Sequence, residues 1–182
     1  MTENRATGIR RQVKKIVSGG QTGVDRAALD WAIAAGIEHG GWCPQGRAAE
    51  DGAIPQRYRL MVLAGAGYRK RTRRNVEDSD GTLILNLGEL DGGTRETVKF
   101  ADRLQKHYLL IQLDAIDATA ATASLLDWLK TAQVRVLNVA GPREGKRPGA
   151  YAAALGFLHA ITDRTRQVAR ASTRPDAPPH KS

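Results

Sequence analysis

"SGGQTGVDRAALDWA", residues 18–32, decides the fold of this 182-residue chain. It follows the short β-branched run "KKIVS" (14–18) and passes through Gly19, Gly20 and Gly23 into a stretch rich in Ala and Leu. There Val24, Ala27, Ala28, Trp31 and Ala35 recur three and four apart, which predicts a helix over 24–35 with one apolar face. At a helix start the backbone N–H groups lack intrahelical partners and the aligned peptide dipoles leave partial positive charge. Such an end attracts phosphate or another oxyanion, and glycine lets a ligand approach the backbone. Gly19, Gly20 and Gly23 would line the approach, Ser18 and Thr22 add hydroxyls, and Gln21 offers an amide for a neutral polar group.

A ligand-free reading stands beside this one. Thr22 and Asp25 are spaced as a capping box, in which hydroxyl and carboxylate satisfy each other's backbone amides. "GGQTG" is neither a Walker loop, lacking the Gly-Lys-Ser/Thr ending, nor the dinucleotide G-x-G-x-x-G. Asp25, one turn inside the helix, would repel a multiply charged phosphate unless it faces a pterin, a base or a sugar instead.

Working outward, the same order of strand, glycine turn and helix returns. A short strand is expected near 39–42. "YRKRTRRNVEDS" is helical, "GTLILNL" is a buried strand, and "GELDGGTRETVKFADRLQKH" is a glycine turn leading into a helix over about 94–105. "YLLIQL", "ATASLLDWLKTA" and "VRVLNVAG" continue the alternation, and "PREGKRPGAYAAALGFLHAIT" closes it with a loop and a helix. This is the signature of an α/β fold, a mostly parallel central sheet of about five strands flanked by helices. Right-handed crossovers put every strand-to-helix loop on one sheet edge, so loops 18–23, 88–93 and 141–149 are expected to converge there. Gly92, Gly93 and Thr94 then join the first loop, with Arg143, Lys146 and Arg147 as countercharge for an oxyanion.

Composition sets the bounds. Hydrophobic residues at 41% and charged residues at 26% fit one globular domain, expected over 13–162 between a flexible arm (1–12) and a flexible basic tail (163–182). Of the net charge of +9, the first 12 residues carry +2 and the segment 162–182 carries +3, so both ends are read as accessory. No apolar run reaches the roughly 20 residues needed to cross a bilayer, and a cytoplasmic location is expected. Cys43 stands alone, which excludes an internal disulfide. His39, His107, His159 and His180 are scattered, so no metal site is expected.

In "YRKRTRRN" most charges cover a solvated face, but Arg71, Thr72 and Asn75 share one face and could project into the pocket. Glu50, Asp51 and Glu96 are the acid–base candidates near the predicted edge. Segment 43–60, with two prolines and two glycines, reads as a long loop with a functional role.

The segments "SGGQTGVDRAALDWA", "GGWCPQGRAAEDGAIPQRYRL", "RTRRNVEDSDGTLIL", "GELDGGTRET" and "LNVAGPREGKRPGAY" together resemble the family of putative molybdenum carrier proteins, over about residues 14–151. The resemblance implies a three-layer Rossmann-like fold of the group that includes lysine-decarboxylase-like phosphoribohydrolases and the DNA-processing protein of natural transformation, and a homo-oligomer. It implies molybdenum cofactor (molybdopterin) or a molybdate-like oxyanion as ligand, its phosphate or oxo group near Gly19–Gly23 and Gly92–Thr94 and its pterin edge near Arg and Asn side chains. "LDGGTRET" lacks the second half of the phosphoribohydrolase turn Pro-Gly-Gly-x-Gly-Thr-x-x-Glu, although Glu96 remains.

The leading expectation is therefore a soluble carrier or binding protein for molybdenum cofactor or a related phosphorylated or oxyanionic small molecule. Two alternatives stand. One is a nucleotide-acting N-glycosidase or phosphoribohydrolase using Glu96 with Arg71 or Arg95. The other is a single-stranded nucleic-acid-binding protein, which the basic balance favours and the 5% aromatic content disfavours.

Overall fold

The structure is a computed structural model that describes residues 8–171 apart from 66 and 116, with the side chains of 164–171 outside the description. Its elements run in chain order α1 (Gly8–Gln12), β1 (Lys15–Val17), α2 (Val24–Ala35), β2 (Glu38–Gly40), β3 (Trp42–Pro44), β4 (Ala48–Ala49), β5 (Gly52–Ala53) and β6 (Met61–Leu63). There follow α3 (Tyr68–Glu77), β7 (Gly81–Asn86), α4 (Gly92–Arg103), β8 (His107–Gln112), α5 (Ala118–Thr131), β9 (Val136–Ala140) and α6 (Ala150–Ala171).

Five strands form one sheet in the order β2-β1-β9-β7-β8, every neighbouring pair parallel. From β1 the chain steps one way to β2, and from β7 it steps the other way to β8. Right-handed crossovers therefore place α2 and α4 on opposite faces, giving three layers. The reversal lies between β1 and β7, where β9 is inserted, and open parallel sheets bind ligands at the carboxyl ends of the strands at such a point.

β7 explains the layering. All six of its residues are buried, as expected of a strand covered on both faces. Leu83 and Leu85 face the main core, where Trp31 of α2, Leu125 of α5 and Phe157 of α6 meet. A smaller cluster of Val76, Phe100 and Ala101 joins α3 to α4 on the other face. Trp31, expected in the core, is buried and donates its indole N–H to Thr162 Oγ1 at 2.9 Å.

Three expectations are corrected. The arm expected over 1–12 is helical over Gly8–Gln12, where α1 buries Ile9 to 1% exposure in the main core; residues 1–7 lie outside the described residues. The final helix runs on to Ala171 rather than ending near 162, so part of the expected basic tail is helical, and 172–182 lie outside the described residues. The strand expected near 39–42 is two strands. The chain bends at Gly41, leaving Glu38–Gly40 in the main sheet while Trp42–Pro44 pairs in parallel with Met61–Leu63.

Segment 43–60 folds around one side chain. The Arg47 guanidinium donates to the carbonyls of Ile54, Leu60, Pro55 and Tyr58, each at 3.0 Å. Leu29 of α2 packs beneath it on Cys43, Ile54, Tyr58 and Leu60. Burial pushes the Cys43 thiol up, away from the reactive thiolate, and its place in this cluster is that of a packed core residue.

Candidate functional site

The loops after β1, β7 and β9 meet at the carboxyl ends of their strands, and α3 lines the cleft beside them through Tyr68, Arg71, Thr72 and Asn75. Gly19, Gly93, Gly141 and Arg71 line the cleft between them. The cleft holds about 150 Å³, room for one group rather than a whole cofactor.

The first loop is largely closed to a ligand. Gly20 (φ 75°) sits so that a Cβ would strike Leu60 and Ile54, and Gly23 (φ 75°) so that one would strike the backbone of Arg143 and Glu144. Both glycines let the loop pack on protein. Val24 N–H, at the start of α2, donates to Pro142 O at 3.2 Å, so the loop after β9 lies across this helix end. Ser18 donates its hydroxyl to Val139 O at 2.8 Å and is fully buried. Thr22 bonds the Glu50 carboxylate and accepts from Glu144 N–H at 3.2 Å. Gln21 Oε1 accepts from Glu50 N–H at 2.9 Å, tying the loop to segment 43–60. The capping box read from Thr22 and Asp25 does not form: no side chain caps α2, and Asp25 accepts instead from Gln21 N–H at 3.3 Å. Of this loop, Gly19, Gln21 and Asp25 line the cleft; Ser18, Gly20, Thr22 and Gly23 shape it from behind.

α4 presents the opposite case. Asp91, at its N-cap position, makes no cap hydrogen bond. Its carboxylate is turned to Lys146 Nζ at 2.8 Å and Arg147 Nη2 at 3.3 Å, which lower its pKa, the Lys146 hydrogen bond chiefly. Arg147 also donates to Leu87 O (3.1 Å) and Glu89 O (3.3 Å), clamping this loop to the one after β9. The first-turn amides of α4 are thus left without a side-chain cap, and Gly92, Gly93 and Thr94 line the cleft. Two of the three cations expected as countercharge in the third loop are consumed by this clamp. Arg143 remains at the mouth, 3.9 Å from Glu50 and with its guanidinium 5.9 Å from the ring centre of Tyr68.

Arg71 crosses the cleft floor. It passes over Gly19, where a Cβ would collide with it, and its Nη1 lies 3.3 Å from Asp25 Oδ2. The side chains are 12% and 6% exposed. Burial pushes the Asp25 carboxyl above its ordinary value, against the pull of Arg71. Arg71 Nε is buried and has no hydrogen-bond partner among the described residues. A buried guanidinium N–H without an acceptor is costly, and an anionic oxygen in the cleft would supply one.

The remaining expected residues divide. Asn75 lines the cleft, but its amide is spent on Trp42, accepting from its N–H at 2.7 Å and donating to its O at 3.0 Å, so it anchors β3. Thr72 lines the cleft with its hydroxyl donated to Tyr68 O. Glu96 lies outside the deep cleft, bonded by Arg69 at 3.2 Å and Lys99 at 3.0 Å, which lower its pKa, the Lys99 hydrogen bond chiefly. Of the other acid–base candidates, Asp51 is gripped by both Nη atoms of Arg26 at 2.5 and 2.7 Å and Glu50 accepts from Gly145 N–H at 2.8 Å; both fasten segment 43–60 to its neighbours. Reading the sequence missed Asn138 and Asp91 as cleft residues, while Lys146, expected as countercharge for an oxyanion, lines the cleft paired with Asp91. The hydrophilic Asn138 inside the otherwise apolar β9 was the available signal. Among the described residues no group of three or more His, Cys, Asp and Glu could hold a metal ion.

The sequence model of the circularly permutated YpsA SLOG family matches residues 16–162. The chain belongs to that family. The match spans every strand of the main sheet but the first residue of β1, and all three cleft loops. This family member is also similar to the crystal structure of a putative molybdenum carrier protein from Syntrophus aciditrophicus SB, at 47% sequence identity and a TM-score of 0.81, over 82% of this chain and 95% of that one. Comparison with the curated proteins gave no match. The Rossmann-like fold and the family expected from the sequence are both shown by these likenesses. Among the described residues no helix is long and apolar enough to cross a membrane.

Proposed function

We propose that the chain is a carrier or binding protein for a phosphorylated or oxyanionic small molecule, with the anion seated on the first-turn amides of α4 and against Arg71. The observation that carries this is the orphaned, buried Arg71 Nε, on a side chain lining the same cleft as a helix start whose own aspartate has been drawn away. Molybdenum cofactor fits the reading as cargo: its phosphate matches a cleft sized for one group, and the similar Syntrophus protein is named a putative molybdenum carrier protein. Residues that would hold it are Gly93, Thr94 and Arg71 at the phosphate, with Arg143 at the mouth. The protein's grip on it would fall on phosphate and ring, with no metal-coordinating cluster among the described residues.

Native mass spectrometry of the purified full chain, followed by calorimetric titration with molybdate, inorganic phosphate and released molybdenum cofactor, tests the proposal. A bound phosphorylated species and saturable binding are expected. Gly93→Glu should lower affinity at least about tenfold with the fold intact, because a Cβ there meets open space and the new carboxylate competes for the amides. Gly20 is unsuited to this test, since a side chain there collides with the core whether or not a ligand binds. Folded protein that binds none of the three would overturn the proposal.

Hydrolysis of a nucleoside monophosphate is a second reading, favoured by the Asp25 carboxyl buried in the cleft, which burial raises above its ordinary value. Release of free base from a nucleotide panel, lost in Asp25→Asn, is its test.

A further inference from the structure

A second hollow opens beside the deep cleft and shares Tyr68, Thr72, Gly93 and Arg143 with it, so the two form one continuous groove. At about 530 Å³ it falls inside the range of about 300–1,000 Å³ typical of small-molecule sites, whereas the deep cleft falls below it. Tyr68, the first residue of α3, is 44% exposed on its wall. The Arg143 guanidinium near that ring is held only loosely, by Glu50 at 3.9 Å, and is free to lie over a flat group placed on Tyr68. Glu96 lines the same hollow. Its Oε1 accepts from Lys99 and its Oε2 from Arg69, which leaves one further acceptor site on each oxygen. Two adjacent acceptors match two adjacent N–H donors.

We infer that this outer groove takes a flat heterocycle joined to the anion, stacked on Tyr68 and bound at its donor edge by Glu96. The ligand is then a phosphate ester of a ring bearing the 2-amino-4-oxopyrimidine edge, which guanine and pterin share and adenine and hypoxanthine lack. The inference rests on the anion seat proposed above and assigns the rest of the ligand to a place outside it.

Calorimetric titrations of the full chain with inorganic phosphate, with guanosine, inosine and adenosine monophosphates, and with a pterin phosphate ester test it. Guanosine monophosphate or the pterin ester should bind at least about tenfold more tightly than inorganic phosphate, the gain that stacking on an aromatic ring supplies. The tighter of the two identifies the source of the ring. Tyr68→Ala should bring the affinity of the ring esters down to that of inorganic phosphate on the same variant, and Glu96→Gln should abolish the preference for guanosine over inosine monophosphate. If phosphate binds and no ring compound binds more tightly, the outer groove is overturned and the anion seat stands. If adenosine monophosphate equals guanosine monophosphate, the role of Glu96 is overturned. If neither phosphate nor any ester binds the folded protein, both proposals fall.

Discussion

Asp25 and Arg71 show how a charged pair can be held in a cleft without closing it. Each is buried enough that desolvation competes with their attraction, and for Asp25 burial outweighs Arg71, raising its folded pKa above the ordinary value of 3.8. The sign for stability follows from that direction. A raised carboxyl contributes stability below its unfolded value, where the folded state holds the proton more firmly, and loses it as pH rises through the folded value. Asp25→Asn, neutral at every pH, lacks this loss. Urea unfolding of both proteins at several pH values is expected to show the stability difference moving against the wild type as pH rises from below 4 toward neutrality. A difference that moves the other way would mean that Arg71 governs the carboxyl and that the cleft floor is more polar than its packing implies.

At the scale of elements, two helices begin with an aspartate and treat it differently. Asp117 caps α5 by accepting from Ala120 N–H at 2.9 Å, while Asp91 turns from α4 to Lys146 and Arg147. Both read alike in the sequence, because the residues that decide between them lie more than fifty positions away on another loop. The strands and helices themselves were legible: α2 occupies the span its apolar spacing predicts, and "GTLILNL" is the doubly covered strand. What stayed hidden was the use of the first loop, where Thr22 and Gln21 find their partners in segment 43–60 rather than in their own helix. That segment owes its order to Arg47, a long-range centre that local patterning does not reveal. Arg47→Met removes four charge-assisted bonds to carbonyls and should destabilise the segment by about 3 kcal/mol or more. Hydrogen exchange is expected to speed up across 45–60 while the protection of β7 and β9 is kept. Unchanged exchange in 45–60 would show that the Leu29 cluster alone holds the segment.

For the whole molecule, topology does what no single loop could. The reversal of strand order between β1 and β7 brings three glycine-bearing loops to one edge, and the convergence was readable from the alternation of strands and helices alone. Which of the two candidate helix starts stays open was not readable, since it depends on the loop after β9 lying across α2 and clamping Asp91 away from α4. In the proposed function α4, not α2, carries the anion. Titration of isotope-labelled protein with inorganic phosphate, followed through its backbone amide resonances, addresses that claim directly. Saturable shifts centred on Gly93 and Thr94, with Gly20, Thr22 and Gly23 little changed, are the predicted result. Shifts centred on 20–23, with Gly93 and Thr94 silent, would contradict it.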